Sequence, residues 1–171
     1  SILTKKQMSE EDIKFQYITP AILAKWDKSR ITMETKITDG QIKLSGNFVH
    51  RDKKSAKKAD YILYWNSSFP IAIVEAKDNN HTVSHGLQQA ITYATMMDVP
   101  FVYSSNGDAF YEHDMLTGKE RQLSLSEFPS PDELMERYKM EANKGQGLSA
   151  NELTVINQPY YSSQNTYEPR Y

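Results

Sequence analysis

Glu75-Ala76-Lys77 closes the apolar run Ile71-Ala-Ile-Val74 and sets a carboxylate and an ammonium two residues apart. In a strand such residues point to one face, and the run puts them at its open end. A second run, Tyr61-Ile-Leu-Tyr-Trp65, is separated from the first by Asn66-Ser-Ser-Phe-Pro70, so the two read as a hairpin. Centred on Ser67 and Ser68, that hairpin brings Asp60 across from Glu75. Directly opposed residues of an antiparallel pair have Cβ atoms about 4.5–5.5 Å apart, and two carboxylates that close repel. A cation resolves the conflict. Hard oxygen ligands at this spacing suit Mg²⁺, which takes one or two protein carboxylates and completes its shell with waters and substrate phosphate oxygens. Lys77 would then orient a water for attack on phosphorus and steady the negative charge that develops.

Other residues are weaker candidates. Glu34-Thr35-Lys36 repeats the Glu-x-Lys spacing, but its strand carries Ile31, Met33 and Ile37 on the other face, so the trio reads as a solvated strand surface. Arg51, Lys53, Lys54, Lys57 and Lys58 form a basic run that leads into Asp60 and could meet DNA phosphates. His81 and His85 have helical ligand spacing without a third ligand nearby, which argues against zinc. Tyr160, Tyr161, Tyr167 and Tyr171 could stack on bases, but they suit docking of a tail better.

The elements that must position the trio are legible around it. Ser9-Glu-Glu-Asp12 is a helix start, followed by Ile13, Tyr17, Ile18, Ala21, Ile22 and Trp26 at helical spacing, with Pro20 expected to kink the segment. Residues 31–37 alternate as a strand. Asp39-Gly40 is a turn signal, and 41–45 reads as a returning arm. Leu87, Ala90, Ile91, Ala94 and Met97 give an apolar stripe that predicts a helix over 84–97. Pro100-Phe-Val-Tyr103 reads as a buried strand, Asn106-Gly107 as a hairpin turn, 109–113 as the returning strand, and Thr117-Gly118 as another turn. Ser130 caps and Pro131 opens a last helix. The order predicts an α/β fold, a mixed sheet flanked by helices.

Composition sets bounds on the whole. The 171 residues amount to one domain with a tail: 1–142 carries the periodic elements, and 143–171 loses them to Gly, Ser, Asn, Gln and scattered Tyr, as a linker or docking segment does. Cysteine is absent, which excludes a disulfide framework and a thiol nucleophile and fits a reducing compartment, so a cytoplasmic location is expected. No apolar run approaches the ~20 residues of a membrane helix. A net charge of -2 argues against a protein that coats nucleic acid by bulk charge, yet leaves room for a metal site and a local basic patch. There is no Gly-x-x-x-x-Gly-Lys-Ser/Thr, hence no ATP motor in this chain.

Asp60, then fourteen residues, then Glu75-Ala-Lys77, then a helix with Gln89-Ala-Ile-Thr-Tyr93, resembles the PD-(D/E)xK nuclease superfamily in its Gln-x-x-x-Tyr branch. Ala59 stands where the superfamily name has proline. The longer stretches Lys58-Ala-Asp-Tyr-Ile-Leu-Tyr-Trp65, Ile73-Val-Glu-Ala-Lys-Asp78, Gly86-Leu-Gln-Gln-Ala90 and Pro100-Phe-Val-Tyr-Ser-Ser-Asn-Gly107 resemble the N-terminal nuclease domain of the R (restriction and motor) subunit of type I restriction enzymes. The resemblance implies a restriction-endonuclease-like core, with Asp60 and Glu75 as Mg²⁺ ligands and Lys77 acting on the nucleophilic water. Glu10 would match the acidic residue of the family's first helix, and Gln89 and Tyr93 would line the site. It further implies a double-stranded DNA substrate in a bacterial or archaeal cell, a helicase-like motor downstream that uses ATP, and methylation and specificity subunits that use S-adenosylmethionine. A non-catalytic assembly module on the same fold, or a motor-independent repair nuclease, are the alternatives.

Overall fold

The computed structural model describes residues 2–37 and 57–145. The expected turn at Asp39-Gly40, the arm over 41–45, Arg51, Lys53 and Lys54, and the tail beyond 145 lie outside them. Ser9 opens the first helical segment through a capping box: its hydroxyl accepts from the Asp12 N–H, and the Asp12 carboxylate accepts from the Ser9 N–H. The segment runs as α1 (Glu10–Ile13), a π-helical turn (Lys14–Ile18) and α2 (Thr19–Leu23). Pro20 has no N–H to donate, and its ring crowds the preceding turn; the widened turn just before it absorbs this without breaking the helix.

Six strands form one sheet in sequence order: β1 (Ile31–Lys36), β2 (Lys58–Asn66), β3 (Phe69–Ala76), β4 (Phe101–Ser105), β5 (Ala109–Asp114) and β6 (Glu120–Ser124). Every neighbouring pair is antiparallel except β3 and β4, which are parallel and joined through α3 (Leu87–Met97). The sheet is therefore mixed, as expected. α3 starts three residues later than the apolar stripe suggests, because residues 78–86 form turns before it. Strand β6 escapes the periodicity altogether: Leu123 is the one buried residue among Glu120, Arg121, Gln122, Leu123 and Ser124.

Both faces of the sheet are covered. On one, Ile13, Ile18, Ile22 and Trp26 pack with Tyr61, Tyr103, Phe110 and Phe128, and α4 (Pro131–Gly145) adds Leu134 and Met135. On the other, α3 lays Leu87, Ala90, Tyr93 and Ala94 against Ile62, Ile73 and Val102. β3 is buried from Ile71 through Ala76, so Glu75 enters the interior at the end of an apolar strand. Gly107 turns β4 into β5 at φ +91°, and a Cβ there would meet Ile13 Cγ2 at 2.8 Å, so this turn also fixes how closely α1 approaches the sheet.

Candidate active site

The β2–β3 hairpin pairs Tyr61 with Val74, Ile62 with Ile73 and Leu63 with Ala72, and this register brings Asp60 across from Glu75. At that point the side chains take over from the ladder. The Asp60 N–H donates to Glu75 Oε2 at 2.8 Å, and the Ala76 N–H donates to Asp60 Oδ2 at 2.8 Å. Each carboxylate thus has one oxygen held by the neighbouring strand's backbone, which fixes both without a rotamer search. Glu75 is 3% exposed. Burial, and after it the charge of Asp60, pushes its carboxyl up to about 8, while Lys77 pulls the other way. Two opposed carboxylates at this separation repel, and a cation between them would relieve that repulsion.

Lys77 follows β3 directly, and its N–H donates to the Ser105 carbonyl at 2.9 Å, which carries the β3–β4 pairing one step further. Its ammonium has no hydrogen-bond or ion-pair partner among the described residues, and its charge is felt at Glu75 and Glu10. The N-terminal end of α3 crowds it. A Cβ on Gly86 would lie 3.1 Å from Ser104 Oγ, 3.3 Å from Glu75 Cβ and 3.4 Å from Lys77 Cε. The Gly86 N–H donates to Ser104 Oγ at 2.9 Å, so helix, strand and carboxylate pair are clasped at one place. Gln89 and Tyr93 share a helix face, and the Gln89 amide donates to the Tyr93 hydroxyl at 2.6 Å. Tyr93 is buried in the α3 core and Gln89 is exposed; no hydrogen bond joins either to Asp60, Glu75 or Lys77.

Glu10 sits on the first turn of α1, but capping there is performed by Ser9 and Asp12. Its half-buried carboxyl is raised by desolvation and then by Asp60, with Lys14 and Lys77 opposing, which puts Glu10 within electrostatic reach of the pair. Sequence reasoning passes over Lys14 and sets Glu34 aside. Lys14 is 1% exposed, and its ammonium lies 2.8 Å from Glu34, 3.2 Å from Glu11 and 3.5 Å from Asp60. Glu34 is exposed, as the solvated-surface reading expects, and it also binds a buried lysine beside the site. Its φ of +53°, inside a strand, is a strained conformation for a non-glycine residue. An isolated lysine at an expected core position of an amphipathic helix was the available signal.

Lys57 and Lys58 lead into Asp60 and are exposed. His81 and His85 lie with ring centroids 4.4 Å apart, and His81 pairs with Asp78 at 3.0 Å, an arrangement without a third ligand. Among the described residues no group of three or more His, Cys, Asp or Glu is arranged to hold a metal ion, so the donor set is the Asp60–Glu75 pair. That pair fits Mg²⁺, which needs only one or two protein carboxylates, and the raised Glu75 carboxyl is the unbalanced charge such an ion would relieve. It does not fit an all-protein cage. Among the described residues no helix is long and apolar enough to cross a membrane.

Comparison with known proteins agrees with this architecture. The chain is 37% identical over 175 residues to the type I restriction enzyme EcoAI endonuclease subunit of Escherichia coli, a match that covers 99% of this chain and 21% of that one. The chain thus spans about a fifth of that relative's length. A solved fragment described as an HsdR subunit of a type I restriction enzyme from Vibrio vulnificus YJ016 superposes with a TM-score of 0.64 at 33% identity, covering 78% of this chain and 26% of that one. The mixed six-stranded sheet flanked by helices is accordingly a restriction-endonuclease-like core. Residues 22–129 match the family described as the type I restriction enzyme R protein N terminus, and the chain belongs to that family.

Proposed function

We propose that this chain is a Mg²⁺-dependent endonuclease domain that hydrolyses phosphodiester bonds of double-stranded DNA. The observation that carries the reading is the reciprocal clasp of Asp60 and Glu75, each fixed by the other strand's backbone, with Lys77 alongside. Asp60 and Glu75 would hold the ion, which supplies Lewis acidity toward the phosphate oxygens and lowers the pKa of water. The chain's own residues do the rest. Lys77, having no other partner among the described residues, holds the attacking water toward phosphorus and donates to the charge that builds on the equatorial oxygens. The water oxygen bonds to phosphorus as the water releases a proton to solvent, one P–O bond breaks, and the departing oxygen takes up a proton from solvent. Glu10 adds acidic charge on the α1 side, and Gln89, exposed on α3 with its amide donating to the buried Tyr93 hydroxyl, would meet the substrate strand.

DNA is met through phosphates, by Arg51, Lys53, Lys54, Lys57 and Lys58. In the complete enzyme, residues 143–171 lead from the nuclease domain, 1–142, to a helicase-like motor that uses ATP. Methylation and specificity subunits, with S-adenosylmethionine, choose the site. The test is nicking of supercoiled plasmid by the chain joined to its natural downstream sequence, against a Lys77→Ala version. Loss of nicking with retained folding is expected, and equal cleavage by both would remove the assignment.

A further inference from the structure

Three carboxylates line up across three strands. β1 pairs Met33 with Tyr61 and Thr35 with Ala59, so Glu34, between them, stands across from Asp60, and Asp60 in turn stands across from Glu75. Adjacent strands lie ~4.8 Å apart, so a row of three like charges at one level of a sheet is strongly unfavourable unless cations are interleaved. One cation is present in the chain itself. The Lys14 ammonium reaches Glu34 at 2.8 Å and Asp60 at 3.5 Å, with Glu11 at 3.2 Å closing a third side. It is delivered by the π-helical turn, and Glu34 meets it from a backbone at φ +53°. The positive φ is an unfavourable conformation for a non-glycine residue, and it accompanies this contact.

We infer that Lys14 is the built-in cation of the Glu34 side of Asp60, so that the site takes a single divalent ion, on the Glu75 side, and has no room for a second. The row then alternates: Glu34, ammonium, Asp60, divalent ion, Glu75. Two roles follow for Lys14. It satisfies Asp60 Oδ1 while Oδ2 accepts from the Ala76 N–H. It also neutralises Glu34, so that this carboxylate neither competes for the ion nor repels Asp60. Glu34 is a positioning residue in turn: it draws the ammonium toward itself and leaves Asp60 charge available to the metal. With the ammonium in place, no three-carboxylate group is arranged to hold an ion among the described residues.

The inference rests on the metal reading proposed above, and the experiment separates the two. Mn²⁺ binding to the 171-residue chain is titrated by electron paramagnetic resonance, with unfolding curves as the control for folding. One ion per chain is expected for the wild type; two would overturn the inference, and none would overturn the metal reading with it. Lys14→Met should admit a second, weaker ion among Glu11, Glu34 and Asp60, whereas Lys14→Arg should keep one. A folded Lys14→Met that still takes one ion at unchanged affinity would sink the proposal. Glu34→Gln guards against a Met variant that does not fold, because Glu34 is half-exposed and dispensable to the core. Its ammonium falls back on Asp60, and Mn²⁺ affinity should drop about tenfold. Unchanged affinity there would equally overturn the inference.

Discussion

Glu75 carries the most legible chemistry in the molecule, because a buried carboxyl held at about 8 makes both folding and metal binding respond to pH. In the unfolded chain it ionises near 4.5, so between that value and about 8 the folded state alone keeps the proton. Stability therefore falls as pH rises across this window, by a few kcal/mol at most, since each tenfold change in a protonation equilibrium is worth about 1.4 kcal/mol. Thermal unfolding of the metal-free chain at pH 5, 6.5 and 8 should show a declining Tm, and Glu75→Gln should flatten the decline. Mg²⁺ should restore the loss at pH 8 and do little at pH 5, where the ion has to displace a proton. A neighbouring position is set by size. Gly86→Ala places a Cβ 3.1 Å from Ser104 Oγ and 3.3 Å from Glu75 Cβ, so one of these must give by a few tenths of an ångström, while Lys77 Cε at 3.4 Å stays in ordinary contact. The expected result is a cleavage rate down by about tenfold to a hundredfold at nearly unchanged DNA affinity, because a misplacement of this kind acts on geometry. Equal rates for the two proteins would show that Glu75 and Ser104 absorb the added Cβ without disturbing the site.

At the scale of elements, the site is held by the junction of β2, β3 and the start of α3, and the β4–β6 side of the sheet is held by an ion cluster. Glu112 on β5 is 2% exposed and accepts from the Tyr103 hydroxyl at 2.6 Å, from Arg121 at 2.7 Å and from Arg137 at 2.9 Å. Arg137 stands on α4, also reaches Asp114 at 3.3 Å, and lies over the Phe101 ring at 4.7 Å. This clasp ties the last described helix to three strands. Arg137→Met should cost about 3 kcal/mol in denaturant unfolding, because it leaves a buried carboxylate one partner short. Its effect on metal binding should be negligible, which separates this cluster from the site. The hairpin and its register were readable from two apolar runs and the residues between them, and with the register came Asp60 and Glu75. What stayed hidden has a physical cause in each case. β6 shows a single inward residue, so it has no periodicity to read. The positive φ of Glu34 goes with its contact to Lys14, twenty residues away in sequence, and nothing local to residue 34 marks that pairing. Glu-x-Lys at 34–36 is indistinguishable by type from the one at 75–77; the burial of the strand beneath decides between them.

For the molecule as a whole, the proposed function asks how a chain with a net charge of -2 would engage a polyanion. Several of its carboxylates are committed internally: Glu112 and Asp114 to Arg137, Glu34 and Glu11 to Lys14, Asp108 to Lys5. Each of these pairs ties up a cation as well as a carboxylate, so what an approaching phosphate would meet is set by the exposed charges left over, Lys57 and Lys58 among them. Lys57 and Lys58 lead into Asp60 at the start of β2, and in the sequence the basic run extends back from them through Lys54, Lys53 and Arg51. Each cation that neutralises a phosphate releases a counterion, and the observed binding constant falls with salt by a log–log slope of ~0.9 per contact. Replacing Arg51, Lys53 and Lys54 by Gln takes the net charge from -2 to -5. It should weaken binding to duplex DNA of any sequence and reduce the salt slope by about 2 to 3. Fluorescence anisotropy on two unrelated duplexes across about 50–200 mM salt measures both quantities. A uniform loss on the two duplexes, with the reduced slope, assigns the run to phosphate contact. An unchanged slope would mean that the run does not touch DNA and that the metal site and Lys77 meet the backbone without it.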